Sequence, residues 1–245
     1  MQTRLLKQTL AALAIAATLF GSTANAGPEA SQTVYAEPEQ GQKAVFGLPF
    51  ATPPGPNTWL MGQSYGNTVG AYYRRVDWYG AGQGIHFGID LSAKCGTPVV
   101  AIGDGTVALV DALYHGSLPH NLSILHPNGY ISFYGHLLET PNLRPGQPIR
   151  KGDVIAKTGD PDLTCTSRPH LHLEIRDRSH ARAYNPIVLI DTDWDALSLT
   201  GAFGRGFQRD LDNPRKWQTP YDQPEIQFGG PLINEFTHTY PQDWR

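Results

Sequence analysis

The sequence has no excess of positive charge, no internal repeat and few apolar runs of any length. Its 245 residues carry 19 basic and 22 acidic side chains, a formal charge of −3. A mildly acidic chain has no electrostatic reason to bind nucleic acid or anionic lipid, so neither is expected as a partner. An apolar run at residues 10–20 is shorter than the ~20 residues that span a bilayer, and no later segment is long enough. We therefore expect no stable membrane insertion.

The first 26 residues have the features of an export signal. Arg4 and Lys7 precede the apolar run, and residues 24–26 (Ala-Asn-Ala) form a small-x-small cleavage site. The competing interpretation is a retained membrane anchor, which the short run and the polar stretch after it disfavour. We expect cleavage after Ala26 and a location in the periplasm or outside the cell. The mature chain then has 17 basic and 22 acidic residues, a formal charge of −5.

Three further segments follow. Residues 27–60 contain Pro- and Gly-bearing stretches without apolar periodicity, which predicts an arm or linker. Residues 61–190 hold short β-rich runs between turn signals, which predicts one mainly β domain. Residues 191–245 do not show this pattern of short β-rich runs, but they contain scattered aromatic residues. We expect them to form an extension that packs on the domain, and the alternative is a groove wall that contacts substrate.

The β-rich runs predict strands and one hairpin. Pro127-Asn128-Gly129 separates two of them, and Asn-Gly between alternating runs is a strong hairpin signal. Alternation in residues 130–137 places Tyr130, Ser132, Tyr134 and His136 on one face, and alternation in residues 170–176 does the same for the histidines there. We expect that face to border a groove and the other to form the core. The predicted strands are residues 98–102, 106–110, 122–125, 130–137, 154–156 and 171–175.

Histidines and one carboxylate in two distant segments indicate a metal site. A catalytic zinc ion requires three protein ligands and an open position. His170 and His172 project from one face of a strand, so one can bind the ion while the other stands beside it. His86 and Asp90 are too far apart in an extended strand to share an ion, so the backbone must bend between them. The nearby glycines permit this, and we expect His86 in a loop and Asp90 entering a strand.

Each of these motifs alone is weak evidence. With nine histidines in the chain, His-x-His or His-x-x-x-Asp arises readily by chance. A lone strand histidine is more often a hydrogen-bonding residue of the fold, and a lone aspartate a turn or cap. The order of the surrounding motifs is more specific. Over residues 62–178 the chain resembles the lysostaphin-type (LytM-like, M23) zinc metallopeptidases in GIHFGID (84–90), VVAIGDG (99–105), YGHL (134–137), GDVIA (152–156) and PHLHLE (169–174).

This resemblance implies a role for each motif residue. His86, Asp90 and His172 would bind one Zn²⁺ per chain, and His136 and His170 would be catalytic. The implied fold is a small antiparallel sheet or sandwich-like domain of the duplicated hybrid motif type, with the metal in a groove on the sheet. One catalytic imidazole can move the proton of the attacking water while the other supports the oxyanion, and which does which stays open.

Two neighbouring residues bear on this site. Glu174 lies on the same strand face as His172, where it would orient a ligand histidine or form an ordinary salt bridge. Arg168 departs from the family pattern, which usually has a small residue before Pro-His-Leu-His. A bulkier basic residue there affects substrate approach more than the ligands.

The chain has two cysteines, Cys95 and Cys165. In an exported protein an even pair predicts a disulfide. It would tie the strand that carries Asp90 to the loop that leads to His170. The alternatives are two unpaired thiols or additional metal ligands.

The predicted function is that of an exported, monomeric zinc endopeptidase that cuts stem or cross-link peptides of peptidoglycan. One alternative is a non-catalytic regulator of the same fold that binds a partner hydrolase; such proteins usually lack one or more ligands, and here all five positions are filled. Another is a secreted bacteriolytic or general metalloprotease. The bond that is cut, whether Gly-Gly or a D-amino-acid cross-link, is not decided by these motifs.

Overall fold

The computed structural model describes residues 45–194, 196–197 and 219–234, and strands predominate among them. Short helices accompany the strands. They include the α-helices α1 (Val69–Tyr73) and α2 (Pro186–Leu189) and the 3-10 helices Gly80–Gly82, Leu113–His115 and Pro220–Asp222. Thr68 caps α1 and Asn185 caps α2, each accepting a backbone N–H two or three residues on. The strands are β1 (Trp59–Gln63), β2 (Ile89–Ala93), β3 (Pro98–Val100), β4 (Gly105–Val110), β5 (His120–Leu125), β6 (Ile131–Leu137), β7 (Pro148–Ile149), β8 (Val154–Lys157), β9 (His170–Arg176), β10 (Arg182–Tyr184) and β11 (Ile226–Gln227).

Most of these strands form one antiparallel sheet. Its order is β1-β2-β9-β6-β5-β4-β7, with β10 paired to β9 and β11 paired to β10. A second, two-stranded sheet consists of β3 and β8. Strands β2, β9 and β6 are neighbours in the middle of the large sheet although they are far apart in sequence. The predicted mainly β, antiparallel fold is confirmed.

The predicted hairpin is present between β5 and β6. The His126 N–H donates to Tyr130 O at 2.9 Å and the Gly129 N–H donates to His126 O at 3.1 Å, which closes the turn. Gly129 has φ +87°, a conformation that glycine adopts without a steric penalty. All six runs predicted as strands are strands here, with ends that move by up to two residues. The two-residue strands β7 and β11, and β1 and β10, were not predicted because they are short or have no clear alternation.

The prediction for the faces of β6 is wrong. In the pairing of β6 with β9, Tyr134 lies opposite Leu173 and Ser132 opposite Ile175, all of them buried in the core. Phe133 lies opposite Glu174 and therefore shares the face of the histidines. Strict alternation would send His136 to the core face as well. His136 instead has φ +55°, in the left-handed region, which breaks the alternation at this residue.

The core lies against the other face of the middle strands. Side chains at alternate positions of β2 and β9 are fully buried there, which removes their apolar surface from water. Tyr134 joins them and its hydroxyl accepts the Ile102 N–H at 3.0 Å. The residues of β2 and β9 that point into this core are Ile89, Leu91, Leu171, Leu173 and Ile175.

Segments on either side of the sheet also contribute to the core. Phe46 and Phe50, which precede β1, are buried, and Phe46 pairs with Ile190 in a parallel bridge. After the sheet, Trp194 is buried and Phe228 packs against the core, whereas Tyr221 is exposed. The proposed boundaries at residues 26, 60 and 190 stay predictions. The predicted export signal, most of the predicted arm and the aromatic residues Phe203, Phe207, Trp217, Phe236, Tyr240 and Trp244 lie outside the described residues.

Within residues 45–194, 196–197 and 219–234, no helix has both the length and the apolar character needed to cross a bilayer.

Candidate metal centre

Pairing of β2 with β9 brings Asp90 and His172 together. The two residues are direct partners in the antiparallel register, and Ser92 pairs with His170 one step along the same face. Directly opposed residues of an antiparallel pair project on the same side at short range, so the carboxylate and the imidazole meet. His172 Nδ1 lies 2.8 Å from Asp90 Oδ1.

His86 joins them from outside the strands. It forms an isolated bridge with Gly66, and β2 begins three residues later at Ile89, as the predicted bend requires. His86 Nδ1 lies 2.8 Å from Ser64 O. A carbonyl oxygen can only accept, so Nδ1 carries the proton and the lone pair of Nε2 points into the site.

Three ligand atoms converge at one point. His86 Nε2 is 3.3 Å from Asp90 Oδ1 and 3.3 Å from His172 Nδ1. Ligand atoms at ~2.1 Å from a tetrahedral zinc ion lie about 3.4 Å apart, close to these two distances. The remaining distance, between Asp90 and His172, is that of a hydrogen bond. Within the described part of the chain, these three residues are the one group of His, Cys, Asp and Glu whose geometry suits a metal ion.

The charges around His172 favour a cation at this point. Burial opposes ionisation of His172, but hydrogen bonds to Asp90 and Glu174 raise its pKa to about 9. Burial also opposes ionisation of Asp90, yet the adjacent imidazoles of His86, His170 and His172 hold the pKa of its carboxyl well below the usual range. Two carboxylates thus share one protonated imidazole. The Nδ1 proton of His172 occupies the place that a metal ion would take, so the residues fit the group that the sequence predicts.

Glu174 has both of the contacts that the sequence left as alternatives. Its Oε1 lies 3.2 Å from His172 Nε2, and its carboxylate pairs with the Arg176 guanidinium at 2.7 and 2.8 Å. Burial opposes the charge on Glu174, but Arg176 and His172 lower the pKa of its carboxyl to about 2. Arg176 is itself buried between the rings of Phe133 and Phe228. Glu174 therefore fixes the orientation of the His172 ring, as carboxylates do for metal-binding histidines.

Arg176 is a supporting residue that the sequence pattern did not identify. Its position two residues beyond Glu174, on the same strand face, was the signal that could have found it. Gly88 lies between His86 and Asp90, where the sequence predicts only a bend. A Cβ at Gly88 would lie 2.7 Å from His172 Cε1 and 2.7 Å from Leu173 O, so the imidazole occupies space that only glycine leaves open.

Gly88→Ala is expected to weaken zinc binding about tenfold or more and to destabilise the fold by about 1–3 kcal/mol. The added methyl group meets a backbone carbonyl that cannot move aside, so the His172 ring must shift. Competition with a chromophoric chelator measures the zinc affinity. Gly80→Ala is the matched control, because a Cβ there comes no closer than 3.7 Å to Arg75 O. An unchanged zinc affinity in Gly88→Ala would show that the ring has room to adjust.

His136 and His170 stand beside these three residues. Their rings are 4.7 Å apart, and His136 is 5.8 Å from the ring of His172. His170 Nε2 lies 3.7 Å from Asp90 Oδ1. The left-handed backbone of His136 turns its side chain toward this face of the sheet.

Backbone carbonyls set the tautomers of both rings. His136 Nδ1 donates to Leu118 O, and His170 Nδ1 donates to Arg168 O at 2.7 Å. Each ring therefore keeps the lone pair of Nε2 for other groups. Burial, together with the nearby imidazoles of His172 and His170, lowers the pKa of His136 to about 4, so this imidazole is neutral at pH 7.

The two cysteines form the predicted disulfide between Cys95 and Cys165. Cys95 follows β2 and Cys165 lies in the loop before β9, so the bond joins the two chain segments that carry Asp90 and His170. A buried carboxylate orders the same loop. Asp160 accepts hydrogen bonds from Thr164, Ser167 and the Arg168 N–H.

The other histidines of the described chain lie apart from this group. His120 pairs with Asp111, His126 bonds Ser132 under the sheet, and His115 stacks on His180. Each has a role in packing or hydrogen bonding. His238 lies outside the described residues.

The site is thus a buried His-Asp-His group with two further imidazoles beside it in an antiparallel β domain, an arrangement that suits a metal ion. The comparison with protein families identifies the domain more closely: residues 84–186 match the model of Peptidase family M23, and this chain carries a domain of that family.

Curated relatives align with less than half of this chain. A protein described as an uncharacterized metalloprotease of Haemophilus influenzae is 36% identical over 104 residues, 42% of this chain and 21% of the relative. Murein hydrolase activator NlpD of Escherichia coli is 33% identical over 113 residues, 46% of this chain and 28% of the relative. The chain thus spans between about a fifth and two fifths of the length of the first relatives it matches.

Solved structures to which this chain is similar include the catalytic domains of two bacterial proteins. The catalytic domain of lysostaphin from Staphylococcus simulans is 24% identical with a TM-score of 0.41, covering 53% of this chain and 90% of that one. The catalytic domain of EnpA from Enterococcus faecalis is 24% identical with a TM-score of 0.42, covering 58% of this chain and 95% of that one.

Proposed function

We propose that this protein is an exported zinc endopeptidase that hydrolyses stem or cross-link peptides of peptidoglycan. The observation that carries the proposal is the pair His136 and His170 beside the His86-Asp90-His172 group. Both rings have an Nε2 lone pair available, and both have tautomers set by a backbone carbonyl. A protein that only binds a partner has no need of two such imidazoles at a metal site.

The proposed chemistry divides these five residues. His86 Nε2, Asp90 Oδ1 and His172 Nδ1 would hold the zinc ion, which would polarise the scissile carbonyl and acidify water. Glu174 holds the His172 ring in place. His136 and His170 each offer Nε2 within reach of this point, where one accepts a proton from the attacking water and returns it to the leaving amine. The other supports the negative charge that develops on the carbonyl oxygen.

The substrate class rests on the family and on a relative. NlpD is described as a murein hydrolase activator, and murein is peptidoglycan. That description also supports the competing function, a regulator that activates a partner hydrolase. The presence of all five side chains in this geometry favours catalysis. Export after residue 26 would bring the protein to this substrate, and the Cys95–Cys165 disulfide agrees with an oxidising compartment.

Purified peptidoglycan is expected to release peptides when incubated with the protein, and a chelator is expected to abolish that release because the three ligands lose their ion. Mass analysis of the soluble fragments identifies the bond that is cut, and added zinc should restore activity. Walls with Gly cross-bridges and walls with direct D-amino-acid cross-links are both tested.

No chelator-sensitive cleavage of any wall type would contradict the enzyme proposal. If the protein alone releases nothing but increases release by an added wall amidase, the regulator is the correct function.

A further inference from the structure

An exposed tryptophan lies between two arginine side chains at the edge of the candidate metal centre. The Arg74 guanidinium carbon is 4.5 Å from the centroid of the Trp78 ring, and that of Arg168 is 5.0 Å from it. Trp78 is 51% exposed, so these contacts do not serve to bury it. Arg74 follows α1, whereas Arg168 belongs to the loop before β9. The indole thus bridges two segments distant in sequence.

Both segments lead directly into the metal centre. The backbone carbonyl of Arg168 accepts the hydrogen bond from His170 Nδ1, and the side chain of Arg168 extends toward Trp78. On the other side, Tyr79 follows Trp78 and its ring is 5.4 Å from that of His86. A peptide lying across His86 and His170 therefore passes this Arg-Trp-Arg rim, which we define as Arg74, Trp78 and Arg168.

The rim is held in place before any ligand arrives. The loop of Arg168 is anchored by the Cys95–Cys165 disulfide and by the Asp160 carboxylate, which accepts the Arg168 N–H at 3.4 Å. The Trp78 N–H donates to Arg74 O at 2.9 Å, which ties these two residues together. Binding a ligand at such a site costs little ordering entropy.

The charges of the rim suit a carboxylate. Arg74 has no acidic partner among the residues that the structure describes, and Asp77 nearby is exposed. Arg168 pairs with Asp162 at 3.4 Å, and both of those side chains are about half exposed. An exposed pair of this length is weak, so a ligand can compete for the guanidinium. Guanidinium groups bind carboxylates through two parallel hydrogen bonds, and stacking on the indole holds both guanidinium groups in place.

We propose that the Arg-Trp-Arg rim is a subsite for a free carboxylate of the peptide whose scissile bond lies at the metal centre. The inference rests on the proposed peptidase function and adds the substrate class: wall peptides that carry an unamidated carboxylate near the cleaved bond. The subsite also assigns a role to Arg168, the residue at which this chain differs from the family pattern.

The test compares a cross-linked muropeptide with the same molecule after its carboxylates are converted to carboxamides. Binding is measured first, by titration calorimetry on chelated protein, in which turnover is blocked. The free-acid peptide is expected to bind about tenfold more tightly than the amide, the effect of one charged hydrogen-bonded pair. Arg74→Gln and Arg168→Gln should each bring the ratio of the two dissociation constants toward one. Arg168→Lys keeps the charge but loses the planar guanidinium group, so it should retain part of the preference for the free-acid peptide.

Arg144→Gln is the matched control, since Arg144 is exposed and belongs to the turn before β7, away from the rim. Circular dichroism melting confirms that each variant is folded. Equal binding of acid and amide by the wild-type protein, or an unchanged ratio in both rim variants, would overturn the subsite.

The zinc-loaded protein separates this inference from the proposed function. With the subsite correct, KM for the amide rises while kcat changes less. Chelator-sensitive cleavage of acid and amide with equal KM refutes the subsite and leaves the peptidase. A tenfold binding ratio that the rim variants abolish, without cleavage of either peptide, supports the subsite in a protein that binds wall peptides and refutes the peptidase.

Discussion

His172→Ala is expected to lose zinc and activity together, whereas His136→Ala keeps nearly one zinc per chain while its activity falls by a factor of about 10² to 10⁴. The physical reason lies in the contacts. His172 Nδ1 is one of the three converging atoms that we propose as ligands, 2.8 Å from Asp90 Oδ1 and 3.3 Å from His86 Nε2. His136 only borders this group, at a ring distance of 5.8 Å from His172. Zinc content after dialysis, measured by mass spectrometry, and kcat/KM on a wall peptide are compared for both variants.

His115→Ala is the control for this pair of variants, because His115 stacks on His180 and makes no contact with the ligand histidines. It should retain both zinc and activity. Equal loss of zinc in His172→Ala and His136→Ala would show that ligand and catalyst have been assigned wrongly. Full activity in His136→Ala would remove that residue from the proposed chemistry.

Arg176→Met is expected to lower the free energy of unfolding by about 3–5 kcal/mol. Glu174 is fully buried, and Arg176 donates two hydrogen bonds to its carboxylate. Methionine keeps contact with the rings of Phe133 and Phe228 but leaves the carboxylate charge without its partner. Urea unfolding in the presence of chelator measures the change without a contribution from bound metal.

The double variant Arg176→Met, Glu174→Gln tests the cause. Removal of the buried charge as well should recover a large part of the lost stability, because the uncharged amide costs less to bury. Arg150→Met, at an exposed position, should change stability by less than about 0.5 kcal/mol. If the double variant is no more stable than Arg176→Met, packing of the guanidinium between the two rings, and not its charge, carries the effect.

Much of the fold could be predicted from local patterns. Asn128-Gly129 needs only its own backbone preferences to make a turn, so the β5–β6 hairpin follows from the sequence. Alternation of Leu171, Leu173 and Ile175 with polar residues likewise identifies β9 and its buried face. The bend between His86 and Asp90 follows from the length of an extended chain, which is too great for both to reach one ion.

Alternation failed at His136 because it assumes that every residue of a strand has extended dihedral angles. The left-handed φ of His136 depends on contacts from elsewhere: its N–H donates to Ser117 O and its carbonyl accepts the Gly159 N–H. Neither contact is visible in the pattern of residues 130–137. The same limit applies to Arg74 and Trp78, because no spacing in the sequence connects them with Arg168.

The sequence by itself determined the residue types of the candidate site, the strands that carry them, the hairpin and the pairing of the two cysteines, because these depend on short-range geometry or on a count. Only the tertiary structure decided which atoms converge. The register of β2 against β9 sets Asp90 opposite His172. The buried Arg176 stabilises the charge of Glu174 next to His172. A break in the alternation of β6 turns the His136 side chain toward the candidate metal centre. Each of these results from long-range packing, in which segments tens of residues apart fix one another's position.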